Sequence, residues 1–92
     1  MLEVLIPSKT RRKIITVFTK YPDYKNHVRG LAAMIKEDPG NVQRELKRME
    51  QIGFVKASKQ SNTNVYTANQ KFSMYRELQS IVLKSQAKKK SL

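Results

Sequence analysis

Cysteine is absent from this 92-residue chain, which excludes a disulfide framework and any thiolate metal site. That composition suits a reducing compartment, and the expected location is the cytoplasm. There is one histidine, His27. A catalytic histidine needs a nucleophile or an acid beside it, and a zinc site needs further ligands. Nothing is spaced to provide either, so His27 reads as a helix-start residue. Paired carboxylates are missing as well, because Glu37 and Asp38 share a turn in which Asp38 serves as a cap. Glycine occurs only at Gly30, Gly40 and Gly53, too sparsely for a phosphate-cradling loop. These absences argue against an enzyme and imply neither cofactor nor metal. No apolar run approaches the roughly 20 residues of a membrane span. The short apolar start, Leu2 to Ile6, lacks the preceding basic segment of a signal peptide. No membrane partner is expected.

Acidic residues are also scarce. Seven Asp and Glu face 19 Lys and Arg, for a net charge of +12. Such an excess fits a polyanionic partner, either nucleic acid or an anionic membrane surface, and otherwise serves only to solubilise. The excess is uneven. Residues 7–29 carry seven bases against one acid, residues 30–53 four of each, residues 54–71 three bases and no acid, and residues 72–92 five bases and one acid. The length is one domain's worth, and 39% hydrophobic residues allow a modest core that would gain from a dimer interface.

Periodicity and punctuation then divide the chain. Pro7 ends the first apolar run, and Ser8 caps a helix over 9–20 whose stripe is Ile14, Ile15, Val17 and Phe18. Tyr21-Pro22-Asp23 breaks it; the sequence assigns no role to Tyr21 or Tyr24. A second, short helix follows Asn26 as its cap, with Val28, Leu31, Ala32 and Ile35 at i, i+3, i+4 and i+7. After the tight Lys36-Glu37 connection, Asp38 caps a third helix, Pro39 takes its first position, and Gly53 ends it. Two strands, 54–58 and 65–68, flank a polar loop from Gln60 to Asn64. Phe54 and Tyr66 on these strands can stack on bases or pack the ribbon on the core. A last helix runs from about 72 to 84. The expected organisation is one domain over 1–84, with a basic flexible tail over 85–92 containing Lys88 to Lys90. The fold class is mainly α with a small β-hairpin, in the winged helix-turn-helix plan: a three-helix core, a wing and a C-terminal helix.

At 100° per residue, placing Val42 at the centre of the buried face of the third helix puts Leu46 and Met49 within about 40° of it. Gly40, Arg44, Lys47 and Gln51 then lie within about 40° of the opposite direction, with Asn41, Gln43 and Arg48 further round. Asn and Gln suit the adenine edge, and Arg and Lys the guanine edge. An ordinary solvated helix face has the same polarity.

The stretches from His27 to Ile35, from Asp38 to Glu50 and Gly53-Phe54-Val55 resemble prokaryotic winged-helix transcriptional regulators of the ArsR/MarR-like type, including the small basic ones that also occur beside nucleotidyltransferase domains. The start from Ser8 to Ile15 is similar to their first helix, and Val65-Tyr66 to their second wing strand. The resemblance covers roughly 8–84. It implies a recognition helix, Pro39 to Gln51, laid in the major groove, with the wing on the neighbouring backbone or minor groove. The chain departs from the family at Gly30, where a Glu is usual, and at Lys36-Glu37, where a Gly-apolar pair is usual. It lacks the Cys set of the metal sensors.

The residues and the resemblance together predict sequence-specific binding of double-stranded DNA by a nucleoid-associated, homodimeric regulator. The expected base-reading residues are Gly40, Asn41, Gln43, Arg44, Lys47, Arg48 and Gln51. The expected backbone and wing contacts are Arg11, Arg12, Lys13, Lys56, Lys59 and Asn62, joined by the Lys88 to Lys90 tail. Met74, Leu78, Ile81 and Val82 are the expected dimer contacts, although the last helix can instead close the monomer core. Two other classes remain open: an architectural DNA- or RNA-binding protein that reads charge and shape, and a winged-helix adaptor that binds another protein.

Overall fold

The computed structural model describes residues 2–90, with side chains described for residues 2–86. Its elements are α1 (Leu2–Leu5), α2 (Lys9–Lys20), β1 (Lys25–Asn26), α3 (Val28–Ile35), α4 (Pro39–Ile52), β2 (Val55–Gln60), β3 (Thr63–Ala68) and α5 (Tyr75–Lys90). The three strands form one antiparallel sheet in the order β1-β3-β2. No described helix is long and apolar enough to cross a membrane.

The middle of the molecule is α2. Ser8 accepts a hydrogen bond from the Arg11 amide at 3.2 Å and so caps its start. Ile14, Ile15, Val17 and Phe18 are all buried, as their spacing predicts. The C-terminal carbonyls of α2 would be orphaned on burial, and α5 satisfies two of them. The Tyr75 hydroxyl donates to Phe18 O at 2.5 Å, and Gln79 Nε2 donates to Thr19 O at 2.8 Å. Tyr75 and Val82 are both buried, so α5 closes the core of its own chain. Phe54 of the ribbon packs on Phe72 and stacks on Tyr75, with centroids 5.8 and 5.9 Å away. Phe54 and Tyr66 are thus core residues, 0% and 2% exposed.

Several expected boundaries move, each for a physical reason. Residues 2–5 form a helical turn, tied down by Leu2 and Ile6 against the core. The cap of α3 is His27, not Asn26: His27 Nδ1 accepts from the Gly30 amide at 3.0 Å. Asn26 instead belongs to β1, opposite Tyr66 of β3. Its side chain accepts from the His27 amide at 2.8 Å and donates to the Tyr24 hydroxyl at 2.9 Å. A Cβ on Gly30 would stand 2.3 Å from Asn26 Oδ1, which accounts for glycine where the resembling family carries Glu. The hairpin is longer and its loop tighter than expected, since only Ser61 and Asn62 lie between the strands. Both have positive φ, 51° and 64°, as a two-residue type I′ turn demands. The last helix starts at Tyr75 rather than 72 and continues to Lys90 rather than ending at 84. The side chains of Lys88 to Lys90 lie outside those described.

The connection between α3 and α4 lacks the usual glycine, and Lys36 does that work at φ 58°, ψ 50°. The amides of Lys36 and Glu37 both close on Ala32 O, which ends the helix much as a glycine would. Asp38 Oδ2 then accepts from the Asn41 amide at 3.0 Å, Pro39 opens α4, and Gly53 closes it at φ 91°. The left-handed conformation costs an ordinary residue about 1–2 kcal/mol, and glycine loses some of that gain to its own chain entropy. Lys36→Gly is therefore expected to stabilise the fold by up to about 1 kcal/mol, measured as a higher urea midpoint; a lower midpoint would contradict this account of the turn.

Candidate nucleic-acid interface

The orientation of α4 follows from its apolar side. Val42, Leu46 and Met49 are 0, 0 and 5% exposed. With that stripe buried, Gly40, Gln43, Arg44, Lys47, Arg48 and Gln51 line one shallow, exposed concavity along the opposite side. These are the residues that the helical angles predict, apart from Asn41, which is half-buried and accepts a hydrogen bond from Arg44 Nη2. Arg44, Lys47 and Arg48 give this surface its positive charge.

Two ionic contacts from α2 clamp the helix pair. Arg11 Nε donates to Glu45 Oε1 at 2.8 Å, across 34 residues of sequence, and Arg48 of α4 lies 3.9 Å from the same carboxylate. Lys13 Nζ donates to Ile35 O and to Glu37 Oε2, each at 2.7 Å, and the Thr10 hydroxyl donates to Glu37 at 3.1 Å. The connection between the two helices is thereby pinned to α2. Arg12 Nη1 donates to Ile6 O and Pro7 O at 2.8 Å. All three cations expected on a phosphate backbone are thus engaged inside the chain. Sequence counts charges but does not show which acid, 24 or 34 residues away, will hold each one.

The wing residues Lys56, Lys59 and Asn62 are exposed as expected, with Asn62 at the tip. A second concavity joins the start of α3 to α4 and the wing, lined by His27, Val28, Arg29, Gln43, Asn62, Thr63, Asn64 and Tyr66. It continues the α4 surface through the shared residue Gln43. Arg29 was not foreseen as a site residue; its signal is its position in the first turn of the helix that precedes α4. Of the expected dimer contacts, Met74 and Ile81 are 60 and 38% exposed, Leu78 is partly buried against the core, and Val82 is 1% exposed. Val82 is thus a core residue of its own chain, because its position on α5 faces the closed core. Among the described residues no cluster of three or more His, Cys, Asp or Glu is placed to hold a metal ion.

No family model matches the chain, and no curated protein matches it significantly. Solved structures do. The antimony-specific transcriptional repressor AntR superposes with a TM-score of 0.73 at 18% identity, over 99% of this chain and 78% of that one. A possible transcriptional regulator from Methanosarcina mazei Go1 gives 0.69 at 19% identity, over 98% and 79%. A mutant of Lactococcus lactis ZitR in complex with DNA gives 0.65 at 14% identity, over 91% of this chain but only 57% of that one. At these identities the likeness defines the fold: the chain is a winged helix of the kind those regulators share.

The clamp has a pH signature. The hydrogen bond from Lys13, and secondarily that from Thr10, holds the Glu37 carboxyl below its usual value of 4.5. A carboxyl lowered on folding contributes stability above its unfolded value, and that contribution disappears as pH falls through the folded value. Glu37→Gln is expected to destabilise the protein at neutral pH, with the gap to wild type narrowing below pH 4.5. Urea midpoints across that range check this; a gap independent of pH would mean that the ion pair contributes nothing.

Proposed function

We propose that this chain binds double-stranded DNA in a sequence-specific manner and acts as a homodimeric transcriptional regulator. The observation that carries the reading is the outer side of α4, where Gln43, Arg44, Lys47 and Gln51 stand exposed on one face. Gln43 and Gln51 offer the paired donor and acceptor that adenine's major-groove edge takes, and Arg44 and Lys47 the donors that guanine's takes. Lys56, Lys59 and Asn62 would meet the backbone, which fixes register and affinity rather than sequence. The net charge of +12 supplies the long-range attraction. The repressor name of AntR and the structure of ZitR in complex with DNA agree with this reading.

The dimer would form along the side of α5 that carries Ile81, with Met74 just before the helix on the same side; both remain uncovered in the monomer. A two-fold dimer on one face of the duplex places its half-sites about one helical turn apart.

Selection from a randomised duplex pool near physiological salt, followed by sequencing, tests the reading, and enrichment of a two-fold symmetric motif is expected. Arg44→Ala should lose about 1–3 kcal/mol on the selected site and relax base preference there. Lys59→Ala should weaken all duplexes alike and lower the salt slope by about one. Equal losses on selected and random duplexes for both variants would leave only an architectural role. Light scattering at tens of micromolar should report a dimer, with Ile81→Asp shifting it to monomer; a wild-type monomer would remove the symmetric model.

A further inference from the structure

The groove between α3, α4 and the wing contains a polar atom that the fold does not use. Tyr66 is 2% exposed, yet its hydroxyl has no hydrogen-bond partner among the described residues. No buried side-chain polar atom there is left unsatisfied, so Tyr66 Oη must reach solvent. Tyr66 lines the groove, which offers its hydroxyl that exit. A buried aromatic ring with a single polar atom emerging into a cleft is a fixed donor, because packing holds the ring before any ligand arrives. Burial, and then the field of Glu50, push the Tyr66 phenol up from its usual value, which keeps the proton on oxygen at neutral pH.

The pairing of the sheet sets this donor beside a helix start. Tyr66 lies opposite Asn26, immediately before the α3 cap. Within α3, the Gly30 amide is taken by His27 Nδ1 and the Leu31 amide by His27 O, each at 3.0 Å. The amides of Val28 and Arg29 have no acceptor within the helix, and both residues line the groove. The exposed Arg29 side chain adds a full positive charge, and Asn62 and Asn64 of the wing close the far wall.

We propose that this groove is a phosphate seat, in which Tyr66 Oη, the Val28 and Arg29 amides and the Arg29 guanidinium hold one backbone phosphodiester of bound duplex DNA. The inference rests on the DNA-binding reading above. It adds a contact that neither the recognition face nor the wing lysines supply. A phosphate gripped at the start of α3 fixes the depth and tilt at which α4 enters the groove of the DNA, because a rigid turn joins the two helices. Tyr66 is a positioning residue in this sense, and its contribution does not depend on the base sequence.

The test is Tyr66→Phe, which keeps the ring in the core and removes only the hydroxyl; its unfolding midpoint should match that of wild type. Affinity for duplex DNA should fall about tenfold, the loss of one hydrogen bond to a charged acceptor, equally on selected and random sequences. The salt slope should stay unchanged, because no cation is removed, whereas Arg29→Gln should lower it by about one. Single methylphosphonate substitutions along the duplex supply an independent measurement. One position should weaken wild type clearly more than it weakens Tyr66→Phe, and equal losses at every position would contradict the seat.

Wild-type affinity for every duplex in the Tyr66→Phe variant would overturn the seat while leaving DNA binding intact. Failure of the wild type to bind any duplex at low salt would overturn both. If inorganic phosphate shifts the Val28 and Arg29 amide resonances while Tyr66→Phe binds duplex normally, the groove is a free-anion site and the DNA contact is refuted.

Discussion

The burial of Val42, Leu46 and Met49 decides what the rest of this surface can do. Each buried aliphatic side chain contributes about 1.5–3 kcal/mol on leaving water, far more than any exposed polar contact. Those three residues therefore set the rotation of α4 about its own axis. Once they face the core, the helical repeat leaves Arg44, Lys47 and Gln51 no direction but outward. The same stripe brings Glu45 to the flank, where Arg11 meets it at 2.8 Å. Lys13 holds the preceding connection in the same way. Core packing thus chooses the rotation, and the two half-covered ion pairs from α2 add directional restraint, one at the turn and one midway along α4. A surface ion pair is worth little on its own; here its geometry matters more than its energy, because it resists the rocking of α4 against α2.

What was legible in the sequence is what local physics determines. Ser8, Asp38, Pro39 and Gly53 mark helix ends by hydrogen bonds or backbone angles that span only a few residues, and each stands where expected. The outward face of α4 was equally legible, because a buried stripe and a fixed angular step leave one solution. The illegible parts depend on distant partners. β1 is two residues long and exists only through pairing with β3, some 40 positions on; no propensity in Lys25-Asn26 announces it. Losing Asn26 to that strand passes the cap of α3 to His27. Arg11, Arg12 and Lys13 look like a phosphate-binding run until Glu45, Ile6 O and Glu37 come beside them. Lys36 replaces the expected glycine by accepting a left-handed backbone, and Ser61-Asn62 make a tight hairpin without the usual glycine. Val82 has the same apolar character as Ile81, and only the packing of α5 on α2 separates the buried residue from the exposed one.

These partitions give the positive charge two tasks. Some of it, on α2, is internal and holds the fold in shape. Another part stands exposed: Arg29, Arg44, Lys47 and Arg48 line two concavities that share Gln43 and reach the wing tip at Asn62, and so form one band. On the proposed reading, backbone attraction and base reading would divide along this band, with cations and oriented N–H groups at its edges and the Gln/Arg/Lys face at its centre. A winged helix that binds DNA in this way would separate affinity from specificity in space, so different substitutions would alter the two.

The central claim is that this band, and no other part of the molecule, faces DNA. Titrating an isotope-labelled sample with duplex DNA and following the backbone amide resonances tests it most directly. The account predicts the largest shifts at Gly40 to Arg44, Lys47, Val28 to Gly30 and Asn62 to Asn64, with α5 unmoved. Shifts concentrated on α5, or on the Lys9 and Arg12 side of α2 with α4 silent, would contradict it.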